Sequence, residues 1–350
     1  MSAMVKKKAP GICVQLSQAE PVRRYLFERQ LLREDLAIKK DEDFIYFPVK
    51  EITEDLRSYT IVTASFEEKE IKPRFYKDLV NLPDHLRAQL PTSYDMVGDI
   101  ILIKLPKTLL RYQKKIGKAL LQTHKNIRTV CLIDPVAGEL RTRNVTIIAG
   151  ENRTLTTHTE YGLSYDVDVN TTYFSPRLAS ERKRVAGLVK PGETVVDMFA
   201  GVAPFSVMIA RYAQPKMVYA IDKNKEAVRL AKQNVKQNHV LDTVEVLHAD
   251  AKNVEQVIPT KADRIIMNLP FSAHAFFSSA LNLANNTCII HYYDIVKEEE
   301  IDARIDALKK IAKEQNFSLT EFSVRKIKTY APREFYIGID ITARNHADVA

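Results

Sequence analysis

One carboxylate stands where an apolar residue is expected. From Ser175 to Leu188 the chain reads as a helix, with Ser175 suited to its N-cap and Pro176 to its first position. Leu178, Val185 and Leu188 share one face, and Glu181 falls on the same line, three after Leu178 and four before Val185. A carboxylate on an apolar stripe is costly unless it has a partner. Arg177 and Arg184, four before and three after, are within reach. Two readings are open. Glu181 is either half of a structural salt bridge or a general base held partly desolvated, its pKa raised toward neutrality.

A second group of chemically able residues recurs at strand ends. Thr194 to Val196 reads as a buried strand, Asp197 ends it, Gly201 permits a tight turn, and Pro204 to Ala210 starts a helix. This is the first strand-turn-helix of a doubly wound sheet, where ligands sit beyond the strand ends. A dinucleotide fingerprint needs three spaced glycines around the pyrophosphate, and Gly201 stands alone. The expected ligand therefore carries no pyrophosphate, which favours S-adenosylmethionine over NAD or FAD. Asp222, after the second strand, suits the ribose hydroxyls. Asp250, after the third, is placed to meet the adenine. Either could instead cap the following helix.

Asn268-Leu269-Pro270-Phe271 ends the fourth strand. Its amide can read the edge of a planar substrate, and Pro270 and Phe271 offer a flat apolar surface. The run resembles the Asn-Pro-Pro-aromatic signature of methyltransferases acting on planar nitrogens. Methylating N1 of guanine needs a base, because that nitrogen carries a proton and no free in-plane lone pair. Charge then builds on O6, and a cation from Arg141, Arg143 or a C-terminal lysine would stabilise it.

These residues need elements to hold them. Met217–Ile221, Thr243–Leu247, Arg264–Met267 and Thr287–Tyr293 read as further strands, with amphipathic helices between them. Phe317–Lys326 and Glu334–Thr342 read as a closing antiparallel hairpin. The expected fold class is α/β: a Rossmann-like methyltransferase domain with a mostly parallel sheet, preceded by two smaller α/β domains. The expected boundaries are 1–68, 72–168 and 169–350, with a charged linker at Glu67–Lys72 before Pro73. In the middle region, Asp99–Leu105 reads as a strand and Thr108–Gln122 as a helix. Strand-like segments follow over Glu139–Ile148 and Thr154–Asp168. Lys114, Lys115, Lys118 and Arg153 suggest a phosphate-facing surface.

Composition bounds the rest. The 350 residues are too many for one small core, and Lys plus Arg exceed Asp plus Glu by 52 to 44, so a polyanion is the natural large partner. Cys13, Cys131 and Cys288 are scattered and the eight histidines show no ligand spacing, which argues against a disulfide framework or a metal site. No apolar run suits a signal peptide or a bilayer span. A soluble cytoplasmic protein is expected.

Taken together, the chain closely resembles the archaeal and eukaryotic tRNA (guanine-37-N1)-methyltransferases, the archaeal type above all. The blocks that carry the resemblance include Ser93–Asp99, Ala149–Thr156, Tyr173–Leu178, Asp197–Gly201, Ile266–Pro270 and Lys328–Glu334. The resemblance implies an N-terminal domain that touches the outer corner of tRNA, a middle domain, and a catalytic domain that uses S-adenosylmethionine on the anticodon loop, in a monomer. It also implies roles. Glu181 matches the proton acceptor, Arg141 the O6-contacting arginine, and Asn268 and Pro270 the residues holding the base. Tyr173, Arg177 and Lys328 match other active-site positions, and Asp222 and Asp250 the cofactor contacts. Asp197, Phe199, Ala200, Gly201 and Pro204 form the cofactor turn, with Asn268 at its edge. Two departures stand out: Ala203, where glycine is common, and Phe276-Phe277, which thickens the wall beyond the base. The competing readings are methylation of another planar nitrogen, a tricyclic guanosine derivative included, and a non-catalytic RNA-binding protein.

Overall fold

The computed structural model describes residues 6–68, 75–134 and 143–346. Arg141, most of the expected linker and the start of the strand expected at Glu139 lie outside the described residues. Two compact units emerge, Met1–Asp78 and Leu79–Ala350.

In the first unit, β1 (Lys6–Gln15), β2 (Lys39–Lys40), β3 (Phe44–Pro48) and β4 (Thr60–Glu67) form an antiparallel sheet in the order β2-β3-β1-β4. Helix α1 (Ala19–Glu28) carries Val22 and Leu26 four apart, and they bury against Ile12 and Phe47. The sequence reads as strands at Gly11–Leu16 and Phe44–Val49 and a helix at Glu20–Leu32, with no strand where β4 lies, for a physical reason. Phe66 is its one buried side chain, so the period-two apolar signal is missing.

Helix α2 (Tyr76–Leu79) ends the first unit, and the second opens with α3 (Asp84–Arg87). Then β5 (Asp95–Val97), β6 (Ile100–Ile103), β7 (Thr129–Ile133) and β8 (Val145–Gly150) form a mixed sheet in that order, with α4 (Gln113–Thr123) between β6 and β7. The expected helix from Thr108 begins instead as a 3-10 turn at Lys107–Tyr112. A hairpin of β9 (Leu155–Glu160) and β10 (Leu163–Asp168) follows. After it come α5 (Ala179–Ala186), β11 (Thr194–Asp197), α6 (Pro204–Tyr212), β12 (Met217–Asp222), α7 (Lys225–Gln237), β13 (Val244–His248), β14 (Ala262–Met267) and α8 (Phe277–Leu283). Then β15 (Ala284–Lys297), α9 (Ile301–Glu314), β16 (Phe317–Ala331) and β17 (Glu334–Asn345) complete the chain. The large sheet runs β13-β12-β11-β14-β15-β17-β16. Its first five strands are parallel, and β17 is antiparallel to both neighbours. The expected Rossmann-like sheet with an antiparallel closing strand is thus present.

Strands covered on both faces read as continuous apolar runs. Accordingly Val195 joins the core shared with α5, α6 and α7, whereas its neighbour Val196 joins the core under α8 and α9. The first of these cores also takes in Val97, Ile100 and Leu102 from β5 and β6. The boundary read at residue 168 therefore falls inside one continuously packed unit.

Candidate active site

The strand order reverses between β11 and β14, and the carboxyl ends of β11, β12, β13 and β14 open there into a cavity of about 740 Å³. Three turns build one end of it. Beyond β11, Phe199 and Gly201 line the wall, and Gly201 adopts φ +57, a left-handed conformation glycine enters at little cost. Its N–H donates to Asp222 Oδ2 at 2.7 Å. Asn224 N–H donates to the other Asp222 oxygen at 2.8 Å, so the turn after β11 is fastened to the turn after β12. Burial raises the Asp222 pKa. Asp250 also lines the cavity. It both caps the following 3-10 turn through Lys252 N–H (3.0 Å) and pairs with Lys223 (3.0 Å).

This end suits a nucleoside rather than a nucleotide. With the Gly201 N–H committed to Asp222 and Pro204 opening α6 without one, the turn offers no cradle of donors to a pyrophosphate. Asp222 presents a carboxylate for vicinal hydroxyls, and the Phe199 ring packs edge-on to Phe276 at 5.1 Å, where a planar base can lie. Ala203 adopts φ +64, the conformation in which glycine is at ease, and its fully buried methyl offsets part of the strain. Of the Phe276-Phe277 pair only Phe276 reaches the wall, because Phe277 is buried against Tyr292.

Three expected cofactor residues are not on the wall. Ala200 is buried and bonded through its N–H to the Ile221 carbonyl (2.8 Å), and Pro204 opens α6 with its carbonyl accepting from the Tyr165 hydroxyl at 3.4 Å. Asp197 is also buried and accepts from Ser206 Oγ at 2.8 Å. Burial pushes its pKa up to about 7, the Asp222 charge adding to the rise. These three shape the turn behind the Phe199–Gly201 wall.

The other end of the cavity gathers Asn268, Pro270, Tyr173, Arg177 and Lys328, five of the expected catalytic residues. Asn268 Oδ1 accepts from the Tyr336 hydroxyl, which fixes the amide. Arg177 pairs with Asp95 (2.5 Å) and not with Glu181. Arg143 reaches the wall with its guanidinium 5.7 Å from the Tyr173 ring centre. Sequence reasoning missed Tyr336 and Tyr94. Tyr336 reads as one more apolar position in a strand, and its role depends on an element 68 residues away.

Glu181 is placed differently. It is buried on α5, as its position on the apolar line implies, but it is not on the cavity wall. Its neighbour on that line, Leu188, lies past the end of α5 and is exposed. Arg184 grips both Glu181 oxygens (2.7 and 2.8 Å), the Tyr293 hydroxyl donates at 2.8 Å, and Arg325 stands 3.6 Å away. The expected raised pKa is corrected. Burial alone pushes the carboxyl up, but the hydrogen bonds from Arg184 and Tyr293 and the charges of Arg184 and Arg325 hold it below its ordinary value. The carboxylate is one layer behind the cavity. Its partner Tyr293 packs against Tyr336, centroids 6.1 Å apart, and Tyr336 holds Asn268.

Comparisons with known proteins agree with this geometry. The model of the TRM5/TYW2 methyltransferase domain matches residues 156–320, that of the TYW2 N-terminal domain 77–154, and that of the tRNA methyltransferase 5 N-terminal domain 11–57. The tRNA (guanine(37)-N(1))-methyltransferase Trm5b of Pyrococcus abyssi is 39% identical over 94% of this chain and 98% of its own. The crystal structure of wild-type Trm5b from Pyrococcus abyssi superposes with a TM-score of 0.79 at 38% identity, over 96% of this chain and 99% of that one. A solved complex of aTrm5 and tRNALeu superposes at 0.77 with 31% identity, over 95% and 99%.

Proposed function

The chain belongs to the archaeal-type tRNA (guanine-37-N1)-methyltransferases, and from that premise we infer the reaction its own residues perform. It transfers a methyl group from S-adenosylmethionine to N1 of guanosine 37 of tRNA. The observation that carries the reading is the cavity at the β11–β14 switch point. It joins a nucleoside end without a phosphate cradle to an end lined by an oriented amide, aromatic rings and cations.

S-adenosylmethionine, when bound, supplies an electrophilic methyl group. Asp222 and Asp250 hold its adenosine, with Phe199 and Gly201 shaping the wall beside it. Asn268 and Pro270 orient the target base, the amide being locked by Tyr336. Arg143 and Lys328 line the substrate end and are placed to meet charge building on O6; the sequence candidate Arg141 shares that proposed role. Tyr173 and Arg177 frame the base, Arg177 being held by Asp95. Glu181 is the proposed acceptor of the N1 proton, and its carboxylate stays ionised at neutral pH. It stands one layer behind the wall, behind the packed rings of Tyr293 and Tyr336, so it takes the proton only when binding of the base brings the two within hydrogen-bond reach.

We further propose that residues 1–68 act as a tRNA-positioning module ahead of a middle RNA-binding region over 72–168 and a catalytic region over 169–350. The protein would work as a monomer in the cytoplasm. Among the described residues no helix is long and apolar enough to cross a membrane.

The test pairs two measurements. Incubation with cofactor and tRNA transcripts bearing G, A, C or U at position 37, followed by mapping of reverse-transcriptase stops, should show a stop for G alone. Glu181→Gln should lower kcat by about 10²- to 10⁴-fold. If that variant keeps near-normal activity, the role passes to Asp95. Among the described residues Asp95 is the one carboxylate on the cavity wall besides Asp222 and Asp250.

A further inference from the structure

Behind Glu181 lies a second carboxylate to which the reaction as described gives no part. Asp340, on β17, faces His291 on β15 and Ser323 on β16 directly across the sheet, and its side chain is only 17% exposed. Arg184 donates to both its oxygens, at 2.9 and 3.3 Å, Arg325 donates to Oδ1 at 2.9 Å, and His291 Nδ1 lies 2.6 Å from the same atom. The partners of His291 fix its tautomer. Arg264 can only donate, and its Nη1 stands 2.8 Å from His291 Nε2, so Nε2 accepts and the ring proton sits on Nδ1. His291 is thus neutral, in keeping with the burial that lowers its pKa, and Arg264 is balanced by Glu193 at 2.8 Å. Burial pushes the Asp340 carboxyl up, but the hydrogen bonds from His291, Arg325 and Arg184 hold it well below its ordinary value, so it stays charged.

Around Glu181 the charges therefore balance. Among the described residues, the charged and titratable groups in contact with it are Arg184 on its own helix, Tyr293 on β15 and Arg325 on β16. Both arginines are shared with Asp340, so two cations face two carboxylates. The reaction upsets this balance. As N1 gives its proton to Glu181 and its freed electron pair to the methyl carbon, the S–C bond breaks to leave a thioether, and the acceptor turns neutral. Without Asp340 both guanidiniums would then stand beside no counterion, a costly state away from water. We propose that Asp340 is a positioning residue for this proton transfer: it holds Arg184 and Arg325 in place while Glu181 leaves their grip and turns neutral. Its negative charge also offsets the arginines, which keeps Glu181 basic enough to accept. The proposal rests on the reading of Glu181 as the proton acceptor.

The experiment follows single-turnover methylation of a G37 transcript across pH by full-length wild-type protein, Asp340→Asn, Arg325→Gln, their double variant and Glu181→Gln. Asp340→Asn should slow the rate at neutral pH about tenfold, a fraction of what the general base itself supplies, with tRNA affinity unchanged. Arg325→Gln should move the acid limb up by about one pH unit, because it removes a cation that favours the ionised carboxyl. In the double variant one cation again faces one carboxylate. Its acid limb should return toward the wild-type position, and its neutral-pH rate should exceed that of Asp340→Asn alone. A residue that merely braces the sheet predicts the reverse, since the second substitution removes a further contact. An acid limb that stays put in Arg325→Gln, or lies at the same pH in that variant and the double one, would overturn the proposal, and neither comparison needs Asp340→Asn to fold by itself. A wild-type rate in Asp340→Asn would overturn it too. Near-normal activity of Glu181→Gln would bring down the acceptor reading and the proposal together, whereas a slow Glu181→Gln with unmoved limbs would bring down the proposal alone.

Discussion

At the scale of single residues, the site sets two carboxylates in opposite states. Glu181 is buried among cations and stays ionised, whereas Asp197 is buried beside another carboxylate and gains a proton near neutrality. For Asp197 the sign follows from a folded-state pKa of about 7 against 3.8 in the unfolded chain. Its contribution to stability is complete below the unfolded value and is lost as pH rises through the folded one. Asp197→Asn should therefore gain in Tm relative to wild type as pH rises from about 4 to 7. Melting curves of both proteins across that window check this, and a constant difference would refute it. Glu181 behaves in the opposite sense. Its stabilising contribution is present above the ordinary carboxylate range and falls away only as pH drops through its depressed folded value. Loss of activity on the acid side should accordingly begin below the pH at which a free glutamate titrates.

Among the elements, α5 matters most because it carries Glu181. Its partner in fixing that position is Arg182, one residue on. The Arg182 guanidinium is buried, bonds both oxygens of Glu160 on β9 and reaches the Ser175 carbonyl at 3.3 Å. It also lies 5.1 Å from the Phe174 ring centre. One side chain thereby ties β9, the Tyr173–Ser175 turn and α5 together. Removing one half of such a pair leaves a buried charge without its counterion, so Glu160→Ala should destabilise the protein by about 3–5 kcal/mol. Urea unfolding measures it. A loss below about 1 kcal/mol would show that the pair is no more than an exposed salt bridge in effect.

For the whole molecule, the net charge of +8 matters through where it lies. Lys114, Lys115 and Lys118 are exposed along one side of α4 and free to face phosphates. Arg153 is not a like case. It pairs with Asp99 (2.5 Å) and Glu151 (2.7 Å), so its expected place on the phosphate surface is corrected to a structural one. Replacing the three lysines with alanine should flatten the dependence of log K for tRNA on log salt by about 2 to 3, close to one unit per lost phosphate contact. Filter binding or anisotropy at several salt concentrations reads the slope. An unchanged slope would remove α4 from the RNA-facing surface.

Much of this was present in the order of residues. Strand periodicity, Gly201 standing without its companions, carboxylates at successive strand ends and the Asn268–Phe271 run are local patterns, and local patterns survive in one dimension. They carried the sheet, the kind of cofactor and the part of the wall at the strand ends, while Tyr173, Arg177 and Lys328 came from the family resemblance. Three things depended on tertiary contacts. Burial alone would raise the Glu181 pKa, and only Arg325, Tyr293 and the geometry of Arg184 reverse it. Tyr336 looks like core until β17 brings it against Asn268. Asp340 and Arg184 meet across 156 positions of the chain. A group's electrostatic state and orientation come from every neighbour within a few ångströms, and in a doubly wound sheet those neighbours arrive from the whole length of the chain.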